Sequence, residues 1–267
     1  MSGQIRALED AVGSELFDRQ GRRLQLTASG RVVMQYADEI FTLGAELSER
    51  MKSGDPGITL TMNIGVVNSI AKLIAANVIE PALDTDTDFR VTVFEGDLDR
   101  LLIDLAMSRL DLVLSDRAMP KGATAKAYNH SLGESEIAFF APVSMAQEYA
   151  SNFPASLDQA PLLLPSHTSA LRRRLDAWFD SNKITPRIVA EFDDSALMKA
   201  FAGAGRGLFP APAVIATPIE DMYSTRVVGT ADGLNESYYV ISPERKISNP
   251  GALRVIEAGK RSLFATS

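Results

Sequence analysis

Cysteine is absent from all 267 residues. That excludes disulfide scaffolds, thiolate metal centres and cysteine nucleophiles, and it is compatible with a reducing compartment. Histidine is scarce: His130 and His167 stand alone, and no pair has the helical spacing of metal ligands. No Gly-x-Ser-x-Gly elbow occurs. The glycine-rich Gly203-Ala204-Gly205-Arg206-Gly207 ends a helix before a strand, the reverse of a dinucleotide fingerprint, and reads as a helix stop. Nothing nominates a catalytic residue, a cofactor or a resident metal, so an enzyme ranks last among the readings.

Long apolar runs are missing too. The most apolar stretch, Leu208 to Ile215, is short and holds Pro210 and Pro212, far from the roughly 18 residues that a membrane span needs. Met1 to Leu16 carries Arg6, Glu9, Asp10 and Glu15 and contains no apolar core of signal-peptide length. The expected location is the cytoplasm, with no membrane partner. A net charge of −7 argues against nucleic-acid binding through bulk electrostatics. It leaves room for a small basic head on an acidic body: residues 19–31 hold Arg19, Arg22, Arg23 and Arg31 and no acid.

Along the chain, Ile5, Leu8, Glu9 and Val12 have helical spacing and Gly13 is a helix stop. Leu16 to Arg19 and Leu24 to Leu26 are two extended pieces around Gln20-Gly21-Arg22-Arg23, a β-wing with a basic tip. From about Ala28 to Met51 runs one proline-free helix. Val33, Ala37, Ile40, Gly44, Leu47 and Met51 form a seam in steps of four and three, the spacing that packs a helix on a partner helix. Packing on its own domain is the alternative. Ser53 to Gly57 breaks it as a linker.

Beyond Ile58, short strands alternate with helices. Strands are expected at 60–66, 89–94, 110–114, 136–141, 161–164, 187–192, 207–209 and 237–242. Helices are expected at 69–83, 97–109, 169–182 and 194–204, with a last one opened by Asn249-Pro250. Two successive β/α series imply an α/β fold with two doubly wound lobes and crossovers near residues 140 and 242.

Two stretches carry a family resemblance. Ser2-Gly3-Gln4-Ile5-Arg6-Ala7-Leu8-Glu9, then Leu16-Phe17-Asp18-Arg19, then Arg23-Leu24-Gln25-Leu26-Thr27-Ala28-Ser29-Gly30 resembles the winged-helix signature of LysR-type regulators. Leu110 to Asp116, Gly133-Glu134, Ala138 to Phe140 and the run Glu191 to Phe201 are similar to the NhaR branch of that family. The resemblance implies a partial winged helix-turn-helix over 1–27, a linker or dimerisation helix and hinge over 28–57, effector lobe I over 58–140 and 243–267, and lobe II over 141–242. Together, lobes I and II form a two-lobed, periplasmic-binding-protein-like domain. It further implies promoter DNA and a small polar or ionic effector as partners, self-association as a dimer or tetramer, and an activator linked to sodium/proton antiport. Two helices that begin the family's head have no counterpart before Ser2, so this chain is expected to read DNA poorly. A stand-alone solute-binding module of the same two-lobed type is the rival reading.

The resemblance places Ser2, Gln4 and Arg6 on the reading helix, and Arg22 and Arg23 at the wing tip would contact phosphates. Ligands of doubly wound lobes sit at strand ends near helix N-termini. Four turns qualify: Asn68-Ser69, Ser115-Asp116, Ser166 to Ser169 with Thr168, and Asp193-Asp194-Ser195. The expected effector ligands are Asn68, Ser69, Ser115, Asp116, Ser166, Thr168, Asp194 and Ser195, with plain N-capping as the alternative at each turn. Glu191, Asp193 and Asp194 alternate direction across a strand-to-helix turn, so no cation site is expected there. Arg172-Arg173-Arg174 reads as a solvated helix face, because consecutive helical residues point apart.

Overall fold

A computed structural model describes residues 3–20, 23–34, 36–37, 40–41, 44, 60–83, 89–120, 127–244 and 249–263. The chain divides into two compact units, residues 1–58 and 59–267.

The first unit is built on a few backbone contacts. Helix α1 (Gly3–Val12) stops at Gly13, whose φ of +73° is the left-handed conformation that glycine adopts without penalty. The chain then forms a hairpin of β1 (Phe17–Gln20) and β2 (Arg23–Leu26), antiparallel with Phe17 opposite Leu26. Glu9 Oε1 accepts the amide protons of Leu16 (2.8 Å) and Phe17 (3.3 Å), so the acid tethers the hairpin entry to α1. Thr27 closes the other side: its hydroxyl donates to the Glu15 carbonyl at 2.8 Å and accepts from the Gly30 amide at 2.9 Å. Helix α2, described at 28–34, 36–37, 40–41 and 44, starts there. A Cβ on Gly30 would lie 2.0 Å from the Leu16 carbonyl oxygen, so the helix approaches β1 only because that position has no side chain. Along the expected seam Val33 and Ala37 are half-buried, while Ile40 is 67% exposed in the single chain. Leu47 and Met51 lie outside the described residues.

The second unit is α/β. Its main sheet has the order β4 (Phe89–Gly96), β3 (Leu60–Val67), β5 (Leu112–Ser115), β10 (Thr225–Ser242), β6 (Tyr128–Pro142), β9 (Phe209–Pro212). The first three strands are parallel, and β10 runs antiparallel to both β5 and β6. A short parallel pair, β7 (Pro161–Pro165) and β8 (Arg187–Phe192), continues the second series through a bridge between Leu162 and Leu208.

Alternation along the strands distributes apolar side chains to two faces. Met62, Ile64 and Val66 of β3 pack with Ile74 and Val78 of α3 (Lys72–Ile79) and Val255 of α9 (Pro250–Ala258). On the opposite face Val67 and Val113 meet Leu98, Leu101 and Leu105 of α4 (Leu98–Ala106). Further along, Ile137, Phe139 and Ala141 of β6 pack with Leu175 and Phe179 of α6 (Ala170–Asn182), where Phe139 stacks on Trp178 at 5.6 Å.

β6 and β10 are far longer than their apolar segments. Expected over 136–141 and 237–242, they run 15 and 18 residues side by side. The start of β6, from Tyr128 to Ser131, pairs with Ser242 to Tyr239, and its end, from Ile137 to Pro142, pairs with Ala231 to Thr225. The polar halves carry no apolar alternation of their own; they are strands because each offers the other a backbone ladder. The chain thus passes between the two series within this ribbon, whose register breaks between Ala231 and Asn235.

Candidate functional site

Strand ends and helix starts of the second unit enclose a cleft of about 500 Å³, within the size range of small-molecule sites. One wall holds Asn68 and Ser69 after β3, Asp97 before α4, and Asp116 and Arg117 after β5. The facing wall holds Ser166 and Thr168 before α6, Asp193 and Ser195 at the start of α7 (Ser195–Gly203), and Lys199 one turn later. Glu236 of the ribbon lies between them.

Six of the eight residues expected from the sequence line this cleft: Asn68, Ser69, Asp116, Ser166, Thr168 and Ser195. Ser115 is fully buried instead. Its hydroxyl donates to the Arg117 carbonyl at 2.7 Å and accepts from the Arg117 amide at 3.2 Å, holding the turn that presents Asp116. Asp194 caps α7, accepting from the amides of Ala196 (2.7 Å) and Leu197 (2.8 Å), chiefly the latter holding its carboxyl below the ordinary aspartate value. Ser169 and Asn249 cap α6 and α9 in the same way. Ser166 and Thr168 both donate to Asp193 Oδ1, the latter at 3.4 Å, and their hydroxyls stand 2.8 Å apart.

The arginine run splits three ways rather than forming a solvated face. Arg173 is exposed. Arg172 is 2% exposed, donating to Glu191 and the Pro165 carbonyl (3.0 Å) and pairing with Asp176 at 2.8 Å. Those donors carry Glu191 below its ordinary value, first through the Arg172 hydrogen bond. Arg174 donates to the Asn235 carbonyl and lies 3.7 Å from Glu236. Glu191, Asp193 and Asp194 therefore each have separate partners, and no group of three potential ligands that could hold a metal occurs among the described residues.

Sequence reasoning missed the two buried charges of the cleft. Lys199, 3% exposed, donates to the carbonyl and hydroxyl of Ser195 at 3.2 Å each, and burial brings its ammonium down to about 8. Glu236, 4% exposed, is pushed up to about 7 by burial and accepts the Tyr238 hydroxyl proton. Both sit where helix and strand patterns permit an exposed side chain, so no local signal marks them. Asp116 Oδ1 is buried and accepts no hydrogen bond within the described residues.

In the first unit, Gln4 and Arg6 are exposed on α1, and Arg23 occupies β2 with its backbone opposite Gln20. Ser2 and Arg22 lie outside the described residues. No helix among the described residues is long and apolar enough to cross a membrane.

Comparison with known proteins accounts for both units. The LysR substrate binding domain matches residues 57–263, and the bacterial regulatory helix-turn-helix protein of the lysR family matches residues 1–31. The chain is 31% identical to the transcriptional activator protein NhaR of Escherichia coli (strain K12), over 99% of this chain and 87% of that protein. Among solved structures, ArgP from Mycobacterium tuberculosis superposes with a TM-score of 0.62 at 21% identity, covering 98% of this chain and 87% of that one. DarR of Vibrio fischeri, in complex with DNA, gives 0.59 at 18%, covering 97% and 87%. These two share the fold. The helix-turn-helix match at residues 1–31 leaves a stand-alone solute receptor without support. The chain belongs to the LysR family of bacterial helix-turn-helix transcription regulators.

Proposed function

We propose that this chain is a cytoplasmic transcription activator that binds promoter DNA through residues 1–31 and reads a small polar or ionic effector in the cleft. The NhaR relative is a transcriptional activator, and DarR forms a complex with DNA, which supports both roles. Exposed Gln4 and Arg6 on α1 are the base or backbone contacts, with Ser2 just before them and Arg22 and Arg23 of the wing tip on phosphates. The observation that carries the reading is one chain holding both a DNA-reading match and a polar cleft of about 500 Å³.

The lobes are 58–140 with 243–267 and 141–242, joined through the paired strands β6 and β10. Residues 1–27 form the head and 28–57 the linker, whose seam pairs two chains: Ile40, so exposed in one copy, is the residue a second copy would cover. The target class is a promoter of sodium/proton antiport.

Because the chain on its own is expected to read DNA poorly, chromatin precipitation of the chain with the family head's two opening helices supplied from the NhaR relative tests it. Enrichment at a few promoters, reduced about tenfold or more by Arg6→Ala with Gln4→Ala, is the expected result, since a lost phosphate or base contact costs roughly 1–3 kcal/mol. Uniform background across the genome would overturn the assignment.

A further inference from the structure

The cleft is acidic, and one of its carboxylate oxygens is buried without a partner among the described residues. Four carboxylates line it, Asp97, Asp116, Asp193 and Glu236, against the cations Arg117 and Lys199. Asp193 is answered by Ser166 and Thr168. Glu236 has Tyr238 on one oxygen and Arg174 near the other. Lys199 directs two hydrogen bonds back to Ser195. Asp116 Oδ1 alone is buried with no donor among the described residues, a costly state for a carboxylate oxygen.

We propose that the cleft takes a small organic molecule bearing a protonated amine, whose ammonium sits at Asp116 beside Glu236. This rests on the reading of the cleft as an effector site and names the effector's chemistry. An ammonium brings three N–H donors, which an orphaned carboxylate oxygen needs. A bare metal ion would need a shell of six or more oxygens, and the described residues hold no cluster of three ligands. The space is also that of a molecule rather than an ion.

The neighbours make binding proton-linked, and the sign depends on the ligand's charge. Glu236 faces Tyr238 on its own strand, Asp116 from the end of β5, Arg174 from α6 and Lys199 from α7. Lys199 faces Asp194, Glu236 and Lys72 of α3. A positive ligand favours ionised Glu236 and disfavours charged Lys199. Both effects release protons near neutral pH, where these groups titrate at about 7 and 8. A carboxylate ligand would reverse both and take protons up.

Titration calorimetry on the full chain at pH 7.5, in two buffers of different ionisation enthalpy, reads that sign. The probes are 1,4-diaminobutane and 4-aminobutanoate, with butanoate, 1,4-butanediol, sodium chloride and potassium chloride as the other arms. An amine-bearing probe is expected to bind with proton release. Asp116→Asn weakens that binding roughly tenfold or more, as for a lost charged hydrogen bond, while the unliganded melting temperature holds or rises, because a buried carboxylate oxygen without a donor is removed. Glu236→Gln weakens it and reduces the proton release. Butanoate binding with proton uptake, lost in Lys199→Met, would overturn the amine and leave the effector cleft standing. Alkali salt alone reproducing the Asp116-dependent heat would overturn it in favour of a bare ion. Silence from every probe would overturn the amine assignment for molecules of this size; promoter occupancy, measured separately, decides the effector reading.

Discussion

Among the described residues of 1–58 only Leu16 is a buried apolar side chain, whereas residues 59–267 carry three buried apolar clusters. The first unit is specified residue by residue: Glu9 on the Leu16 and Phe17 amides, Thr27 on the Glu15 carbonyl, Gly30 against Leu16. The second is specified by pattern, with alternating strands laid against helices so that many residues share each contact. Dense motifs and sparse cores go together for a physical reason. Where few apolar contacts are shared, each polar contact has little to substitute for it. A large core tolerates exchange of similar side chains while its charged interior groups do not.

The largest expected effect sharpens the contrast inside one run of arginines. Arg172→Ala removes a buried guanidinium and its hydrogen bonds to the Pro165 carbonyl and to the solvent-facing Glu191 and Asp176, and should cost the second unit about 2–4 kcal/mol through lost packing and charged hydrogen bonds. Its exposed neighbour, Arg173→Ala, should stay within about 0.5 kcal/mol. Urea unfolding of the two variants measures the difference; equal midpoints would mean that Arg172 is not held as described.

Next is Gly30→Ala. A methyl 2.0 Å from the Leu16 carbonyl oxygen forces β1 or the start of α2 aside, at about 1–3 kcal/mol or more. Hydrogen exchange at the Thr27 amide, which bonds the Leu16 carbonyl at 3.0 Å, should accelerate while the amides of β3 and β5 stay protected. Uniform acceleration across both units would break the distinction drawn between them.

A smaller and pH-dependent effect belongs to Glu236. Its folded value of about 7 lies above the ordinary glutamate value of 4.5, so the native state binds more protons between those limits and loses stability as pH rises through that window. Glu236→Gln should therefore stabilise the unliganded chain by about 1–3 kcal/mol at pH 8. The gain shrinks steadily toward pH 4.5. Melting curves taken across pH 4.5–8 check it, and a gain independent of pH would contradict a titrating, buried carboxyl.

Much of this was legible in residues. Leu110 to Leu114 read as an almost wholly apolar strand of a covered sheet; the strand runs instead from Leu112 to Ser115, all four residues buried. The capping role of Asn249 followed from a side chain that accepts amide protons at a helix start, whereas Asp97 before α4 makes no such bond, and six cleft residues followed from where strands end. These inferences need only local geometry: period, capping and chain direction.

By itself, then, the sequence determined the family motifs, the element order and the turns that carry polar groups, because each depends on neighbours within a few positions. Only the tertiary structure decided the fate of the charges. Arg172, Lys199 and Glu236 stand in segments whose local pattern allows full exposure. Each is buried because a distant element closes over it: β8 and its Glu191 on Arg172, the ribbon strand of Glu236 and α3 with Lys72 near Lys199, α6 and the end of β5 on Glu236. The polar halves of β6 and β10 are strands for the same reason, since a backbone ladder is complete only when both partners arrive.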